Sequence, residues 1–292
     1  DSMVMGDTLS QPGANAAVIR IHESDKCLAI VTDCNPRYCL NDPYVGSQQA
    51  VVETYRNLIS VGAKPLAITD CLNFGNPENL TVMSQFRSSV EGIASACKAL
   101  NMPVVSGNVS FYNESEGKNI PPTPQIGAVG IVDDSKKLIS IKPETEDILL
   151  LVGKTKGHLS CSLYSKIVLN NVKMENLGTP PPVDLENEKI IGENILNLIN
   201  LKQVSSCHDI SDGGLLVSLT EMCLASDIGF KFIKKDNSHQ FLFGEDQGRY
   251  LFSSKRKFSK KNKKILDNNK IPNCILGTFG KQSSKPQLTL PN

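Results

Sequence analysis

The chain has 292 residues, of which 40% are hydrophobic and 21% charged, a composition typical of a folded protein rather than a disordered one. Its 31 basic and 30 acidic residues nearly cancel, so we expect neither nucleic acid nor an anionic membrane as a partner. No apolar run approaches the roughly 18 residues that a membrane-spanning helix needs, and residues 1–5 do not resemble a signal peptide. The length predicts two domains.

The first half predicts alternating strands and helices from the spacing of its apolar residues. In chain order we predict a strand at 27–32, a helix at 46–61, a strand at 66–69, a helix at 82–100, and strands at 103–106 and 126–132. Gly62 and Pro65 end the first of these helices. The pattern is that of an α/β domain in which two long helices cover a sheet.

A polar stretch at 143–147 marks the predicted domain boundary, which divides the chain into residues 1–145 and 146–292. Beyond it we predict a strand at 148–152, a helix at 213–228, and strands at 249–253 and 274–279. The lysine-rich residues 255–264 could bind nucleic acid. The favoured interpretation is the solvated face of a helix that directs Phe258, Ile265 and Leu266 inward.

Nine cysteines are scattered along the chain without a Cys-x-x-Cys pair, and several lie in apolar runs. Reduced, buried thiols in a cytoplasmic protein are the simplest interpretation, and this spacing does not predict a zinc site. Residues 152–155 resemble the end of a phosphate-binding P-loop. The pattern requires a glycine five residues before Gly153, where Ile148 stands, so we exclude a P-loop enzyme.

Two polar segments of the first half, residues 69–77 and 106–114, each follow an apolar strand. Ligands of open α/β folds collect at the carboxyl ends of strands. Backbone N–H groups and short oxygen ligands suit phosphate and Mg²⁺, and Gly107 would let the backbone approach a phosphate closely. The alternative is that these residues serve only the turns, and the residue types alone do not decide between the two.

Two further polar segments, residues 207–215 and 243–250, lie in the second half. His208, Asp209 and Asp212 precede a predicted helix and could bind a metal or act as acid and base. The alternative is that one of the two aspartates caps the helix, and that the acidic pair at 245–246 forms an ion pair with Arg249.

The segments 70–78, 106–114, 122–127, 208–215 and 244–247 together resemble phosphoribosylformylglycinamidine synthase, in particular the synthetase subunit of the small bacterial type. The resemblance extends over nearly the whole chain. It implies a fold similar to aminoimidazole ribonucleotide synthetase: an N-terminal barrel-forming domain with mixed sheets, whose sheet pairs with a partner's, and then a C-terminal α/β domain. Only the second half of such a synthetase is matched, so we expect a fragment or a split subunit.

The resemblance also implies an ATP-dependent carbon–nitrogen ligase of purine biosynthesis. ATP would activate the amide oxygen of formylglycinamide ribonucleotide as a phosphorylated imidate, and ammonia from a glutaminase subunit would displace the phosphate. The implied cofactors are ATP and Mg²⁺. The implied partners are the glutaminase subunit, a small accessory subunit and the missing N-terminal half, in the cytoplasm. An exposed sheet edge makes a homodimer a further expectation.

Carried over position by position, the resemblance assigns Asp70 and Gly107 to ATP binding, Asn108 to Mg²⁺ and Ser110 to the substrate. It assigns no catalytic residue to this half. Two alternatives remain: another ATP-using member of the superfamily, of the aminoimidazole ribonucleotide synthetase or selenophosphate synthetase type, and a structural half that completes a barrel without binding a ligand.

By internal pseudo-symmetry, the resemblance matches Asp209, Glu245 and Gln247 to positions that bind metal or substrate in the first half, where they would line an auxiliary nucleotide site. One departure argues against a working auxiliary site. Residues 12–17 lie where the family resemblance implies a Pro-Gly-x-Asp-Ala pattern, and Asn15 replaces the acidic residue, with the loss of a charge that could hold a metal.

Overall fold

The computed structural model describes residues 6–10, 13–170, 173–282 and 287–290. The expectation about a signal peptide concerns residues 1–5, which lie outside these ranges, as does Pro12 of the segment that contains Asn15. Within the described ranges, no helix has both the length and the apolar character that crossing a membrane requires.

A five-stranded sheet forms the first part of the chain, with strand order β1-β2-β7-β3-β4. Its elements are β1 (Ala17–Arg20), β2 (Cys27–Asp33), α1 (Pro36–Asn41), α2 (Pro43–Ser60), β3 (Lys64–Asn73), α3 (Leu80–Leu100), β4 (Val104–Ser110), the short hairpin β5 (Glu114–Ser115) and β6 (Lys118–Asn119), and β7 (Thr123–Val132). Strands β3 and β4 are parallel, and the other neighbours in the sheet are antiparallel.

Helices α2 and α3 cover one face of this sheet, and local signals set their ends. The Asp42 side chain accepts a hydrogen bond from the Val45 N–H, with Pro43 in the first helical position, so α2 begins there. Asn79 caps α3 in the same way, and Asn101 ends it in the left-handed conformation. The opposite face of the sheet exposes apolar side chains, among them Ile30 and Leu66.

A six-stranded sheet forms the second part, with strand order β13-β10-β12-β8-β11-β9. Its elements are β8 (Ile148–Val152), α4 (Leu185–Asn200), β9 (Ser206–Asp209), α5 (Gly214–Ser226), β10 (Ile228–Phe232), α6 (His239–Phe243), β11 (Tyr250–Ser254), α7 (Arg256–Asn268), β12 (Asn273–Gln282) and β13 (Leu288–Thr289). The expected fold class, mixed α/β sheets in two successive parts, is confirmed.

The two sheets share a hydrophobic core, which the alternation of side chains along β8 shows directly. Leu150 and Val152 point into the larger core, together with residues of α2 and α4. Leu149 and Leu151 point to the other face, where they pack among residues of α5 and β10. Successive side chains of a strand face opposite sides, so a fully apolar β8 is buried on both faces.

Several sequence predictions need correction. The strands predicted at 66–69 and 103–106 are longer, because β3 continues to Asn73 and β4 to Ser110. Residues 69–73 and 106–110 of the two polar segments therefore belong to the strands themselves. Six of the seven β4 residues are exposed, so the strand shows no apolar alternation. The helix predicted to reach residue 228 ends at Ser226, and β10 begins at Ile228.

Candidate functional site

The four residues expected to bind ATP, metal and substrate lie side by side on the β3–β4 ladder. Asp70 pairs with Gly107, and Asn73 pairs with Ser110. Asn108 lies between Gly107 and Ser110 and pairs with Cys71. Since β4 is the edge strand of the sheet, this row of residues borders solvent on the side where another strand could be added.

Asp70 and Gly107 lie on the face of the sheet that α3 covers. Because side chains alternate along β3, Asp70 lies on the same face as Ile68 and Leu72, which are buried in the same core as Cys97 of α3. A Cβ atom on Gly107 would lie 2.5 Å from Oδ1 of Asp70. A side chain at position 107 would therefore have to displace the carboxylate of Asp70.

The Asp70 carboxylate experiences two opposing effects. Partial burial raises its pKa, and the backbone N–H of Asn108 stabilises the charged form and lowers it, with burial the larger effect. The result is an acceptor that strand geometry and the close contact with Gly107 hold in place. A carboxylate in this position can accept hydrogen bonds from the hydroxyl or amino groups of a ligand.

Asn108 and Ser110 face the opposite, uncovered side, because side chains alternate along β4. The Asn108 side chain is exposed, and it has no hydrogen-bond partner in the described part of the chain. Ser110 is held by Asn113, whose amide nitrogen lies 3.2 Å from the serine Oγ and donates to the Ser110 carbonyl at 3.0 Å. That Asn113 orients Ser110 was not predicted from the sequence.

The segments after β3 and β4 are anchored on α3 by aromatic packing. The rings of Phe74 and Phe86 lie 5.3 Å apart, and those of Phe86 and Phe111 lie 5.1 Å apart. Asn119 accepts a hydrogen bond from the Asn76 N–H at 2.7 Å. Phe74 and Phe111, one within each polar segment, were the sequence signal that could have predicted this support.

The donor set on the uncovered face fits Mg²⁺ only in part. The amide oxygen of Asn108 is a hard, neutral ligand that Mg²⁺ accepts, whereas the Asp70 carboxylate lies on the other face. Within the described residues, no group of three His, Cys, Asp or Glu side chains could hold a metal ion. Asn108 can therefore supply one ligand, and the remaining ligands must come from nucleotide phosphates, water or a second protein surface.

The candidate auxiliary residues form a different kind of site, in which Glu245 connects three segments of the chain. Its Oε1 accepts hydrogen bonds from the N–H groups of Leu163 and Gly213, both at 2.8 Å. Its Oε2 accepts a hydrogen bond from the Tyr38 hydroxyl. Both oxygens of this fully buried carboxylate are engaged, although burial raises its pKa above the ordinary value for a glutamate.

Two alternatives were considered for this region, a helix cap by Asp209 or Asp212 and an ion pair of residues 245–246 with Arg249, and both are wrong. Gly213, without a side-chain cap, occupies the position before α5, so neither Asp209 nor Asp212 caps that helix. Asp212 instead accepts a hydrogen bond from the Arg37 Nη2 at 2.8 Å. Among the described residues, Arg249 forms no ion pair with the acidic residues at 245–246. Its guanidinium instead donates hydrogen bonds to the backbone carbonyls of Gly244 and Asp246.

Asp209 lies where the two sheets meet, close to the buried Arg56. Its Oδ2 is 3.7 Å from the Arg56 Nε, and Arg56 Nη1 donates to Glu188 Oε1 at 3.0 Å. His208 lies between Asp209 and Glu221, and these two carboxylates raise its pKa to about 9 against the opposing effect of burial. Arg56, Glu188, Asp209 and His208 therefore each have an ion-pair partner within the chain.

Two more carboxylates face the same contact. Burial raises the pKa of Asp33 to about 6, although Asn57 donates a hydrogen bond to its Oδ2 at 3.0 Å. Burial also raises the pKa of Glu53 well above its ordinary value. Asn15 donates to the Cys207 carbonyl oxygen at 3.2 Å, a contact that the aspartate of the family pattern would oppose.

Two family models match the chain. The model of the AIR synthase related protein N-terminal domain matches residues 13–132, and that of the C-terminal domain matches residues 144–287. A curated relative, phosphoribosylformylglycinamidine synthase subunit PurL of Bradyrhizobium sp., is 49% identical over 255 residues, which are 86% of this chain and 34% of the relative. This chain thus spans about a third of the length of the curated relative.

Solved structures of PurL from Thermotoga maritima are similar in fold. The complex with FGAR matches with a TM-score of 0.80 at 18% identity, over 97% of this chain and 46% of that one. The complex with ATP matches with a TM-score of 0.67 at 27% identity, over 94% and 39%. The PurLQS assembly matches with a TM-score of 0.68 at 27% identity, over 96% and 40%.

Proposed function

We propose that this chain, which belongs to the AIR synthase related family, is the second half of a formylglycinamidine ribonucleotide synthetase. The proposed reaction converts formylglycinamide ribonucleotide, ATP and ammonia into the amidine by way of a phosphorylated imidate. The observation that carries the proposal is the row of Asp70, Gly107, Asn108 and Ser110 along an uncovered edge strand. The similarity to the PurL subunit over 86% of this chain supports the same reaction.

In this proposal the two faces of β4 have different roles. On the α3 side, Asp70 would accept a hydrogen bond from ATP, next to the backbone of Gly107. On the uncovered side, Asn108 would supply an amide oxygen to Mg²⁺, and Ser110, oriented by Asn113, would contact the substrate. Bound Mg²⁺ would neutralise charge on the phosphates during transfer. The chain's own contribution is binding and orientation.

The site would be completed by the first half of the synthetase. Val105 is 69% exposed, and Val104 and Val109 are also exposed along the same edge. On the uncovered sheet face, Ile30 and Leu66 are exposed as well. Such a surface is typical of a protein interface. We propose that residues 1–145 provide this barrel-forming surface and that residues 146–292 form the second domain. Pairing with a second copy of the chain is the alternative.

The wider setting is part of the same proposal. A glutaminase subunit would supply the ammonia, and a small accessory subunit would complete the complex; the similarity to the PurLQS assembly supports such partners. Free, buried thiols such as Cys161, Cys207 and Cys223 favour a reducing compartment, and we place the chain in the cytoplasm. For the auxiliary region, the internal pairing of Glu245 favours a structural role over nucleotide binding.

The test is ADP release from the purified chain, given Mg²⁺-ATP, formylglycinamide ribonucleotide and an ammonium salt, with and without the first half added in trans. We expect turnover only with both halves. In the reconstituted enzyme, Asn108→Ala should lower kcat/KM at least tenfold with an unchanged Tm. The control Asn268→Ala, at an exposed position on α7, should leave both unchanged.

Three results would contradict parts of the proposal. Turnover by the chain alone would mean that it holds a full site by itself. Full activity of Asn108→Ala would exclude the metal role of this residue. Turnover by the first half alone, at the rate of the reconstituted pair, would show that this chain is a structural half that binds no ligand.

A further inference from the structure

A cavity of about 430 Å³ lies at one end of the six-stranded sheet, where β8 and β10 end and β12 begins. The loop at 153–157 forms one wall; Lys234, two residues beyond the end of β10, and Asn273, the first residue of β12, also line the cavity. This cavity belongs to the second sheet, whereas the proposed ATP and substrate site lies on the first.

The cavity has an excess of positive charge. Lys154, Lys156 and Lys234 line it, and no carboxylate lies within 4 Å of their ammonium groups among the described residues. The one acidic side chain in its lining is Asp236, whose Oδ1 accepts hydrogen bonds from the N–H and hydroxyl of Ser238. Three cations and one carboxylate that already has partners favour an anionic ligand.

The backbone that carries two of these lysines is held in a defined conformation. The Asp246 carboxylate accepts hydrogen bonds from the N–H groups of Lys156 and Gly157, at 2.9 and 2.8 Å, and from that of His158 at 3.3 Å. Arg249 Nη1 donates to the Thr155 hydroxyl at 3.3 Å. The loop resembles a phosphate-binding turn whose N–H groups a carboxylate has taken, so an external anion would meet the lysine side chains instead.

The third lysine is held by a different contact. Lys234 is half-buried, and its Nζ lies 4.8 Å from the centre of the Phe241 ring. Leu151, Phe241 and Pro272 give the cavity an apolar side next to its charged one. A small molecule that carries both a phosphate and a less polar body would match this combination.

The acidic residues on the other side of the 153–157 loop do not neutralise these lysines. Asp184 accepts a hydrogen bond from the Asn187 N–H at the start of α4, and Glu188 pairs with Arg56. Asp246 is occupied by the loop's own N–H groups. Each of these carboxylates is therefore committed to a partner other than a lysine.

We propose that this cavity binds a small phosphorylated anion, at a site separate from that of the synthetase reaction. Lys154 and Lys156 would contact the phosphate from the fixed loop, and Lys234 would contact it from the end of β10. The ligand's phosphate could belong to a nucleotide, to a sugar phosphate or to inorganic pyrophosphate. All three present the same chemistry to the lysines.

Isothermal titration calorimetry of the purified chain with pyrophosphate, AMP and ribose 5-phosphate tests this proposal. We expect saturable binding of at least one probe, which weakens at least fivefold in Lys234→Gln and weakens further when salt is raised from 50 to about 300 mM. The matched control Lys264→Gln, an exposed lysine of α7, should bind as the unchanged chain does.

The outcomes separate cleanly. Preference for AMP or ribose 5-phosphate over pyrophosphate would identify which organic part the apolar side accepts. The proposal is overturned if none of the probes binds saturably, or if Lys234→Gln and Lys264→Gln weaken binding equally. An unchanged Tm of Lys234→Gln confirms that lost binding is not lost folding. Since activity is not measured, failure here leaves the proposed synthetase function unaffected.

Discussion

Replacing Arg56 with methionine tests whether the buried charges between the two sheets are mutually dependent. Arg56 is fully buried, donates to Glu188 at 3.0 Å and lies 3.7 Å from Asp209. Its removal would leave both carboxylates buried without their cation. Breaking a buried ion pair by removing one partner costs about 3–5 kcal/mol. We expect Arg56→Met to reach the upper end of this range and Glu188→Gln the lower end, since Arg56 retains Asp209 in the second variant.

Thermal and urea unfolding at pH 7 measure these differences. A loss of this size lowers the Tm by roughly 6–20 °C in a protein of this length. The control is Arg87→Met, which removes an 81% exposed arginine from its pair with Glu91 on α3 and should change stability by less than about 0.5 kcal/mol. The reasoning is refuted if Arg56→Met unfolds within 1 kcal/mol of the unchanged chain, or if Glu188→Gln proves the more damaging change.

Two further predictions concern His208 and Gly107. The folded-state pKa of His208, about 9, exceeds its ordinary 6.5, so its interaction with Glu221 stabilises the fold below pH 6.5 and is lost as the pH rises through 9. Glu221 is 55% exposed, so Glu221→Gln should lower the free energy of unfolding by about 1 kcal/mol or less at pH 6 and should not change it near pH 10. Unfolding curves that show an equal loss at both pH values would contradict this prediction. Gly107→Ala should displace the Asp70 carboxylate. Calorimetry on the reconstituted enzyme should then show ATP binding at least fivefold weaker. An unchanged affinity for ATP would show that Asp70 does not contact ATP.

Burial decides which elements could be predicted from the sequence. Strand β8 is buried on both faces and is a continuous apolar run, so its limits of 148 and 152 were predicted correctly. Helix α7 was also predicted, because Leu266 is fully buried on its inner face while the lysines face solvent. Strand β4 was cut short, because an exposed edge strand has no buried face to impose a period of two.

Two helices that were not predicted carry sequence signals at their starts. Helix α4 was missed, although Ile191, Ile195 and Leu198 have helical spacing and Asp184 stands at its capping position. The short helix α1 has a cap and a proline at its start but only six residues, too few for an apolar period to emerge.

The candidate auxiliary site shows what local sequence cannot give. Glu245 and Tyr38 are 207 positions apart, and their contact exists only because α1 packs against the loop before β11. The resemblance matched Glu245 to a ligand-binding position, and nothing in residues 243–250 distinguishes a carboxylate that accepts three internal hydrogen bonds from one that faces a ligand. Only the fold brings the N–H groups of Leu163 and Gly213 to this carboxylate.

One structural cause accounts for both the exposed edge and the incomplete ligand set on β4. An uncovered parallel edge strand that exposes valines is prone to unwanted pairing, and proteins usually shorten it, charge it or cover it. Here the strand is seven residues long and carries no charged side chain, and the register shift at Val105 is the one such device within the strand. The same strand presents an amide and a hydroxyl to the uncovered side, where Asn108 alone cannot complete a Mg²⁺ site. A partner surface that pairs with β4 would remove the exposed edge and, in the same step, bring the missing ligands next to Asn108.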